Sequence, residues 1–489
     1  MRLARWVLAT LPLAGAVSFI LASCSGSPAP ASGAVDAGER DDARASTGGP
    51  GGETTDSGAD ADGGIDPLAN DMFKGKWKAL PGAPSFCDLR RSEEPEKLAS
   101  KWLPCPSGRQ GCRKLDTSWT KYPPANGPGW LVDISKGPEP TRLIGGKPYF
   151  LIRRFWHSEV FLTMNLPIGH MYVLEPLDGA PVVAIATGPV ALINNSARYC
   201  KFEVGYGDYG IAYQADLRAP TKPATQDNGL DESLLGWAPW ASLGEFTTRT
   251  INVTDFGLGS KVGYFLDPVL GERSIWFSTR APRSVGIFEL GPQSPRLLQD
   301  KLYSESPTPV PGGALVYDVA AVAINFAKDD GSFARVVTPA SPQVLSAKAL
   351  DRSNGNALVW VESDRDIEFT NSTLWTAPFA TTEGALARRK VAKLHDSLAR
   401  GGGGGVANRG VFLSLSGRNE ATIVRLEDGV GWKVTGEPGE RFTAPVWVDD
   451  DEAILQIAPD PDGKFEEDTY GIVRIARSTL GPPTVPPGL

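Results

Sequence analysis

Histidine, methionine and cysteine are scarce in this chain of 489 residues, which contains three, four and five of them respectively. Three histidines leave little material for a histidine-rich metal site. Proline, by contrast, occurs 41 times. Because an interior proline removes a helix hydrogen bond, this frequency argues against a helical bundle. The 41% of hydrophobic residues is too high for a wholly disordered chain.

Negative charge is concentrated in one part of the chain. Residues 25–70 hold nine acidic residues and two arginines and therefore carry −7, against −8 for the whole chain. Residues 71–489 carry only −3. They lack the positive field with which nucleic-acid-binding proteins displace counterions from phosphates. We therefore expect no nucleic-acid partner.

The first 24 residues have the pattern of an export signal. Basic residues precede an apolar run from Trp6 to Leu21, which is shorter than the ~20 residues of a membrane-spanning helix. The run ends in Leu21-Ala22-Ser23-Cys24, which resembles the lipobox of bacterial lipoproteins. The resemblance implies lipidation of Cys24 and anchoring in the bacterial cell envelope, and Ser25 suggests the outer membrane. An ordinary secretory signal is the alternative.

Composition divides the rest of the chain. After a signal peptide over 1–23, residues 24–70 contain no aromatic residue and are predicted to form a disordered Gly/Ala/Ser/Asp-rich tether. Residues 71–118 form a cysteine-containing segment that we expect to pack on the main domain. That domain covers 119–478, and residues 479–489, which are rich in proline, are predicted to be irregular.

Four cysteines follow the signal, at positions Cys87, Cys105, Cys112 and Cys200. An even number in an exported chain predicts disulfides. The turn-rich residues between Cys105 and Cys112 favour that pair, which leaves Cys87 with Cys200. Four cysteines allow three pairings, so the other pairings stay open. A zinc site is a further alternative, although no C-x-x-C pair and no nearby histidine support it.

One pattern recurs from about residue 119 to residue 475: an alternating strand, a polar turn, a second strand and a Gly/Pro break. The second strands are His170–Leu174, Gly210–Tyr213, Gly286–Leu290, Val322–Phe326, Thr373–Ala377, Thr422–Leu426 and Gly471–Ile475. Seven such units, most of them roughly 36 to 50 residues long, predict an all-β fold, a single seven-bladed β-propeller. Six or eight blades and a pair of β-sandwiches are the alternatives. The longest interval contains residues 219–250, which we interpret as an insertion.

One repeat resembles a known family. Residues 442–451, followed by 453–457 and 470–475, are similar to one blade of the TolB-like propellers. The resemblance implies a propeller fold. TolB itself carries an α/β domain before its propeller, and residues 71–118 are too short to supply one. The partners of that family are therefore not implied for this chain.

Residues 92–103 are predicted to form a short helix, with Ser92 as its cap and with Leu98 and Trp102 on one face. The sequence contains no G-x-S-x-G and no H-E-x-x-H motif. Residues 205–210 spell G-x-G-x-x-G, but a strand pattern follows them, which predicts a hairpin turn rather than a dinucleotide site. We interpret the glycine run 401–405 as a linker or loop.

Two sets of residues are candidates for binding. Asp460 and Asp462, with the acidic run 449–452, offer hard oxygen ligands for calcium, although turn chemistry explains Pro-Asp-Gly equally well. Trp237 and Trp240 lie in the interpreted insertion, where exposed rings could stack on a sugar or anchor a peptide. The alternative is that they fold the insertion back onto the blade. His157 and His170 are interpreted as packed or solvated side chains.

These observations favour a non-catalytic binding scaffold of the cell envelope for a protein, peptide or glycan, with no cofactor. The alternative is a periplasmic propeller enzyme, a hydrolase or a quinone-dependent dehydrogenase, with its site at the mouth of the channel. An enzyme would need titratable groups that converge there.

Overall fold

The computed structural model describes residues 75–83, 89–115, 129–134, 143–144, 147–157, 169–176, 179–187, 200–217, 232–252, 263–281, 283–290, 296–297, 307–318, 323–338, 344–351, 357–363, 372–382, 387–394, 405–460 and 471–484. The predicted signal peptide, Cys24 and the tether lie outside these residues and stay predictions. In the part of the chain that is described, no helix has the length and hydrophobicity needed to cross a bilayer.

The described residues form strands almost throughout. In chain order these are β1 (Trp77–Ala79), β2 (Leu89–Ser92), β3 (Trp102–Pro104), β4 (Cys112–Leu115), β5 (Gly129–Ile134), β6 (Leu143–Ile144), β7 (Lys147–His157), β8 (Gly169–Pro176), β9 (Val183–Thr187), β10 (Cys200–Gly207), β11 (Gly210–Leu217), β12 (Glu232–Pro239), β13 (Thr247–Asn252), β14 (Gly263–Leu270), β15 (Ser274–Ala281), β16 (Arg283–Glu289), β17 (Arg296–Leu297), β18 (Thr308–Val310), β19 (Gly313–Asp318), β20 (Ala323–Lys328), β21 (Phe333–Val337), β22 (Val344–Asp351), β23 (Ala357–Ser363), β24 (Ser372–Pro378), β25 (Arg389–Leu394), β26 (Val406–Asn408), β27 (Val411–Leu415), β28 (Glu420–Arg425), β29 (Gly431–Thr435), β30 (Glu440–Val448), β31 (Glu452–Pro459) and β32 (Gly471–Ala476). Short 3-10 helices cover Pro95–Leu98, Trp240–Ser242 and Arg477–Thr479.

Most strands pair with their neighbours in the sequence. Five antiparallel sheets of four consecutive strands comprise β10–β13, β14–β17, β18–β21, β22–β25 and β26–β29. We call the sheet with the order β1-β2-β9-β8-β7-β5 the first sheet, and the sheet with the order β3-β4-β32-β31-β30 the last sheet. β27 is buried along its whole length, as expected of a strand covered on both faces.

Hydrophobic clusters lie between successive sheets. Trp276 of β15 packs against small side chains of the next sheet, and Trp360 of β23 packs against residues of the sheet before it. Such a cluster lies between each sheet and the next. A final one, with Leu115, Phe150 and Trp447, joins the last sheet to the first. The sheets therefore close into a ring, and the chain is an all-β single β-propeller.

The predicted number of uniform blades needs a correction. Among the described residues, six sheets have the four or five strands of a propeller blade. The remaining place in the ring is occupied by the first sheet, which has seven strands because β6 also pairs with β7. The structure thus has six sheets of blade size rather than the seven predicted, together with one larger sheet.

The N-terminal residues extend both sheets that meet at the ring closure. β2 pairs with β9 and carries β1 on its other side, which enlarges the first sheet. β4 pairs with β32 and carries β3, which completes the last sheet. The segment 75–115 therefore spans the junction between the end and the beginning of the propeller.

The predicted helix over residues 92–103 is wrong. Ser92 ends β2, Pro95–Leu98 forms one 3-10 turn, and Trp102 begins β3. The Oγ of Ser92 does accept a hydrogen bond from the N–H of Glu94 at 3.2 Å. Strand pairing with β9 and β32, far away in the sequence, outweighs the local i,i+4 pattern on which the prediction rested.

The interpretation of 219–250 as an insertion is also wrong over its second half. β12 and β13 are the third and fourth strands of an ordinary four-stranded sheet. Residues 218–231 lie outside the described residues. At the other end of the chain, residues 481–484 have no regular structure apart from a bridge between Thr484 and Gly431.

The G-x-G-x-x-G pattern forms the predicted hairpin turn. Gly207 and Gly210 are register partners at the end of the β10–β11 hairpin. Gly205 has a separate role, because a Cβ at this position would lie 2.1 Å from the backbone oxygen of Pro268. Glycine therefore allows two neighbouring sheets to approach closely.

Candidate functional site

A cleft of about 470 Å³ lies at the ring closure. The N-terminal segment provides one wall and the turn between β8 and β9 provides the other. The lining residues are Ala99, Ser100, Trp102, Arg113, Glu175, Pro176, Gly179 and Ala180. This volume is within the range of sites for small molecules or for a few residues of a peptide.

Trp102 and Arg113 form the part of the cleft contributed by the last sheet, and Arg474 packs against Trp102. Arg113 of β4 lies directly opposite Arg474 of β32, so the two side chains lie on the same face of the sheet. The Arg474 guanidinium lies over the Trp102 ring, with its central carbon 4.9 Å from the ring centroid. This is a cation–π contact, which holds the half-buried tryptophan in place.

The two arginines differ in their electrostatic partners. Arg474 is 8% exposed and donates two hydrogen bonds to the Glu452 carboxylate, at 2.9 and 3.2 Å. Arg113 is exposed, and within the described part of the chain it has no carboxylate partner. The guanidinium next to the cleft is therefore neutralised, whereas that of Arg113, which lines the cleft, is available to an anion from outside.

Glu175 is the buried acid of the cleft, with 5% of its surface exposed. Its Oε2 accepts a hydrogen bond from the Ser100 N–H at 3.1 Å, which ties the N-terminal segment to the end of β8. The Oγ of Ser100 is buried and has no hydrogen-bond partner among the described residues. Glu175 thus fixes the shape of the cleft where its two walls meet.

The predicted disulfide between Cys105 and Cys112 is confirmed. It closes the hairpin between β3 and β4, next to the cleft. Ser107 in this hairpin donates hydrogen bonds to both carboxylate oxygens of Glu437, at 2.8 and 3.1 Å. The two sulfurs and a Glu437 oxygen lie within 4.8 Å of one another, but the sulfurs are bonded to each other and are not free to bind a metal.

Replacing Cys105 by serine is expected to lower the free energy of unfolding by about 2–3 kcal/mol, the chain-entropy value for so short a loop. The hairpin that completes the last sheet would lose its covalent closure. Equilibrium urea denaturation measures the change. Cys112→Ser and the double variant should match the single variant, because all three lack the same bond; an additive loss in the double variant would contradict this account.

The second predicted disulfide is not tested. Cys87 lies outside the described residues, and Cys200 is the first residue of β10. The Cys87–Cys200 pair therefore stays a prediction.

Of the two interpretations of Trp237 and Trp240, exposure on a binding loop is wrong, and packing of the rings onto the blade agrees with the structure. Trp237 lies in β12 with 9% of its surface exposed. Trp240 is half-buried, stacks on Tyr149 with ring centroids 5.0 Å apart, and donates a hydrogen bond to the Gly207 carbonyl at 2.9 Å. Both rings therefore pack within the propeller, and they give no support to a binding role.

The acidic calcium candidates interact with groups of the protein itself. Asp449 accepts hydrogen bonds from the backbone N–H groups of Asp451 and Glu452, at 2.8 and 2.9 Å, which is the geometry of an Asx turn. Asp450 pairs with Arg477 at 3.1 Å. Asp460 lies 4.0 Å from Arg418, and Asp462 lies outside the described residues.

The two histidines lie on strands of the first sheet. His157 ends β7 and His170 is the second residue of β8. Of the glycine run, only Gly405 is described, and a Cβ there would overlap the Phe412 ring.

Sequence reasoning missed the residues of the cleft. The sequence pattern places Trp102 on a helix and gives no sign that Arg113, Glu175 or Arg474 belongs to a site. The signal that could have drawn attention to them is the position of Trp102 three residues before Cys105, beside the hairpin that the cysteine spacing predicted.

No family model matches this chain, and no curated protein matches it. A catalytically inactive virginiamycin B lyase from Staphylococcus aureus, solved with quinupristin, is 11% identical, with a TM-score of 0.39 over 74% of this chain and 99% of that one. Prolyl oligopeptidase B from Galerina marginata is 11% identical, with a TM-score of 0.33 over 67% of this chain and 56% of that one. YCF48 bound to D1 peptide is 12% identical, with a TM-score of 0.30 over 58% of this chain and 98% of that one. Such low similarity carries no argument about function.

Proposed function

We propose that this chain is a non-catalytic binding protein of the bacterial cell envelope, anchored through lipidated Cys24, with its ligand site in the cleft at the ring closure. The observation that carries the proposal is the lining of that cleft. A half-buried tryptophan, held by Arg474, lies beside Arg113, for which no counter-ion is found among the described residues. An aromatic ring and an exposed guanidinium on a rigid sheet suit recognition of a peptide or glycan.

The buried acid of the cleft supports binding over catalysis. The Glu175 carboxylate accepts a backbone hydrogen bond from Ser100, which connects two parts of the chain. This contact favours a role in positioning over a role in proton transfer, for which a group needs access to the substrate.

Filling the cleft should abolish ligand binding. Ala180 is exposed and lines the cleft, so Ala180→Trp would occupy part of its volume. Labelled protein would be applied to peptide and glycan arrays. We expect wild-type protein to bind a subset of spots that Ala180→Trp does not bind. Ala241→Trp, at an exposed position outside the cleft, is the matched control; identical patterns for wild type and Ala180→Trp would reject the proposal.

The anchor is tested separately. Cys24→Ser removes the thiol that the resemblance to a lipobox marks for acylation, and several acyl chains on one residue bind membranes far more firmly than one. We expect the protein to move from the membrane fraction to the soluble periplasmic or secreted fraction. Intact-mass analysis of the wild-type protein should show a lipidated N-terminus at residue 24. Unchanged membrane association of Cys24→Ser would argue against the anchor.

A further inference from the structure

We infer that the cleft recognises the carboxylate of an acidic residue within an extended peptide. This inference rests on the proposed binding function and specifies its ligand. Two features support it: the guanidinium of Arg113, for which the described residues provide no counter-ion, and an edge of β3 beside the cleft that no described strand covers.

The charge of the cleft favours one anionic group. Arg113 is exposed and lies beside an arginine that Glu452 already neutralises. The segment 75–115 that carries Arg113 is basic, with nine lysines and arginines against four acidic residues. A carboxylate can accept two parallel hydrogen bonds from a guanidinium, which gives both strength and orientation.

A carboxylate matches the charge of the cleft lining better than a phosphate does. Arg113 is the one cationic side chain among the described residues that line the cleft, and it is exposed. A phosphate carries up to two negative charges near neutral pH, so one guanidinium would leave part of that charge unpaired. A singly charged carboxylate at Arg113 therefore fits better.

The backbone of β3 favours a peptide as the carrier of that carboxylate. The Cys105 N–H donates to the Cys112 carbonyl, which marks residue 105 as a hydrogen-bonded position of the antiparallel pair. Residues alternate along such a pair, so the N–H and C=O of Trp102 point away from β4. β3 is the outermost strand of the last sheet as described, and its free edge lies at the cleft.

An extended segment can add to such an edge through main-chain hydrogen bonds. Pro104 lacks an N–H group, so the added pairing ends after Trp102 and stays short. A short backbone contact alone binds weakly, and the Arg113–carboxylate pair then supplies most of the selectivity. We therefore expect the side chain at one position of the peptide to determine binding.

Fluorescence anisotropy with two labelled hexapeptides tests the inference. One peptide has a single central glutamate flanked by valines, and the other has glutamine at that position. We expect the full-length chain to bind the glutamate peptide about tenfold more tightly, and high salt to reduce the difference. Arg113→Gln should remove the preference, and Arg113→Lys should retain part of it.

Lys101→Gln is the matched control, because Lys101 is an exposed cation on the same segment but does not line the cleft. It should leave the preference unchanged, and the melting temperatures of all variants should agree with that of the wild type. Equal binding of both peptides, or of neither, overturns the inference. Arg113-dependent binding of a uronic-acid oligosaccharide in place of the peptide also overturns it.

The outcomes distinguish this inference from the proposed function. Suppose that Ala180→Trp abolishes binding to the arrays but Arg113→Gln leaves the preference for the glutamate peptide unchanged. The cleft then binds ligands, and only the carboxylate inference fails. If the glutamate peptide binds equally well to Ala180→Trp, it binds outside the cleft and the carboxylate inference fails. The proposed function fails only if the array pattern is also unchanged by Ala180→Trp.

Discussion

Replacing Trp276 by alanine is expected to lower the free energy of unfolding by about 3–5 kcal/mol. The Trp276 ring is completely buried between two sheets. The other members of its cluster are Ile287, Ala314, Val316 and Ala327. Because three of these four side chains are small or short and lie on β-strands, they cannot move far enough to fill the space that the indole leaves. We therefore expect a value in the upper part of the range, where an unrelaxed cavity adds to the lost transfer energy.

Equilibrium urea denaturation followed by circular dichroism would measure this change. Phe333→Ala is the control, because Phe333 is 39% exposed and its loss should change stability by less than about 1 kcal/mol. A Trp276→Ala variant as stable as this control would mean that the packing between these two sheets contributes little to the propeller. A slope in urea that differs from that of the wild type would instead indicate a change in the compactness of the denatured or native state, or a departure from two-state unfolding.

The propeller could be predicted from sequence because its strands pair locally. In the repeat that ends the chain, β31 and β32 are mostly apolar and buried and lie close together in the sequence, so their pairing needs no distant partner. The same local reasoning failed where pairing is distant. The face formed by Leu98 and Trp102 indicated a helix, yet Trp102 pairs with Leu115 in a sheet whose other strands come from the C-terminal end.

The cleft could not be predicted for the same physical reason. Residues 99–113 form one wall of the cleft and residues 175–180 form the other. Arg474 packs against Trp102. No spacing rule relates these positions, because the ring closure alone brings them together. The sequence instead favours Trp237 and Trp240 as binding candidates. They follow the long connection between β11 and β12, which in the sequence alone has the appearance of an insertion.

Replacing Arg474 by methionine is expected to lower the free energy of unfolding by about 3–5 kcal/mol, the usual cost of removing one partner from a buried ion pair. Both oxygens of Glu452 would lose the hydrogen bonds they accept from the guanidinium, while the carboxylate stays largely buried. Trp102 would also lose the cation over its ring. The strand that holds Arg113 pairs with β32 at this position, so the damage should extend to the candidate cleft.

A double-mutant cycle separates the ion pair from the packing. Glu452→Met combined with Arg474→Met removes both charges and leaves apolar side chains of similar length, so we expect it to recover most of the stability lost in the single variant. The cycle needs urea midpoints for the wild type, both single variants and the double variant, and tryptophan fluorescence can follow the environment of Trp102. Losses that simply add in the double variant would show that the two side chains act independently. In that case Trp102 would be held by the strand pairing of the N-terminal segment rather than by the charge on Arg474.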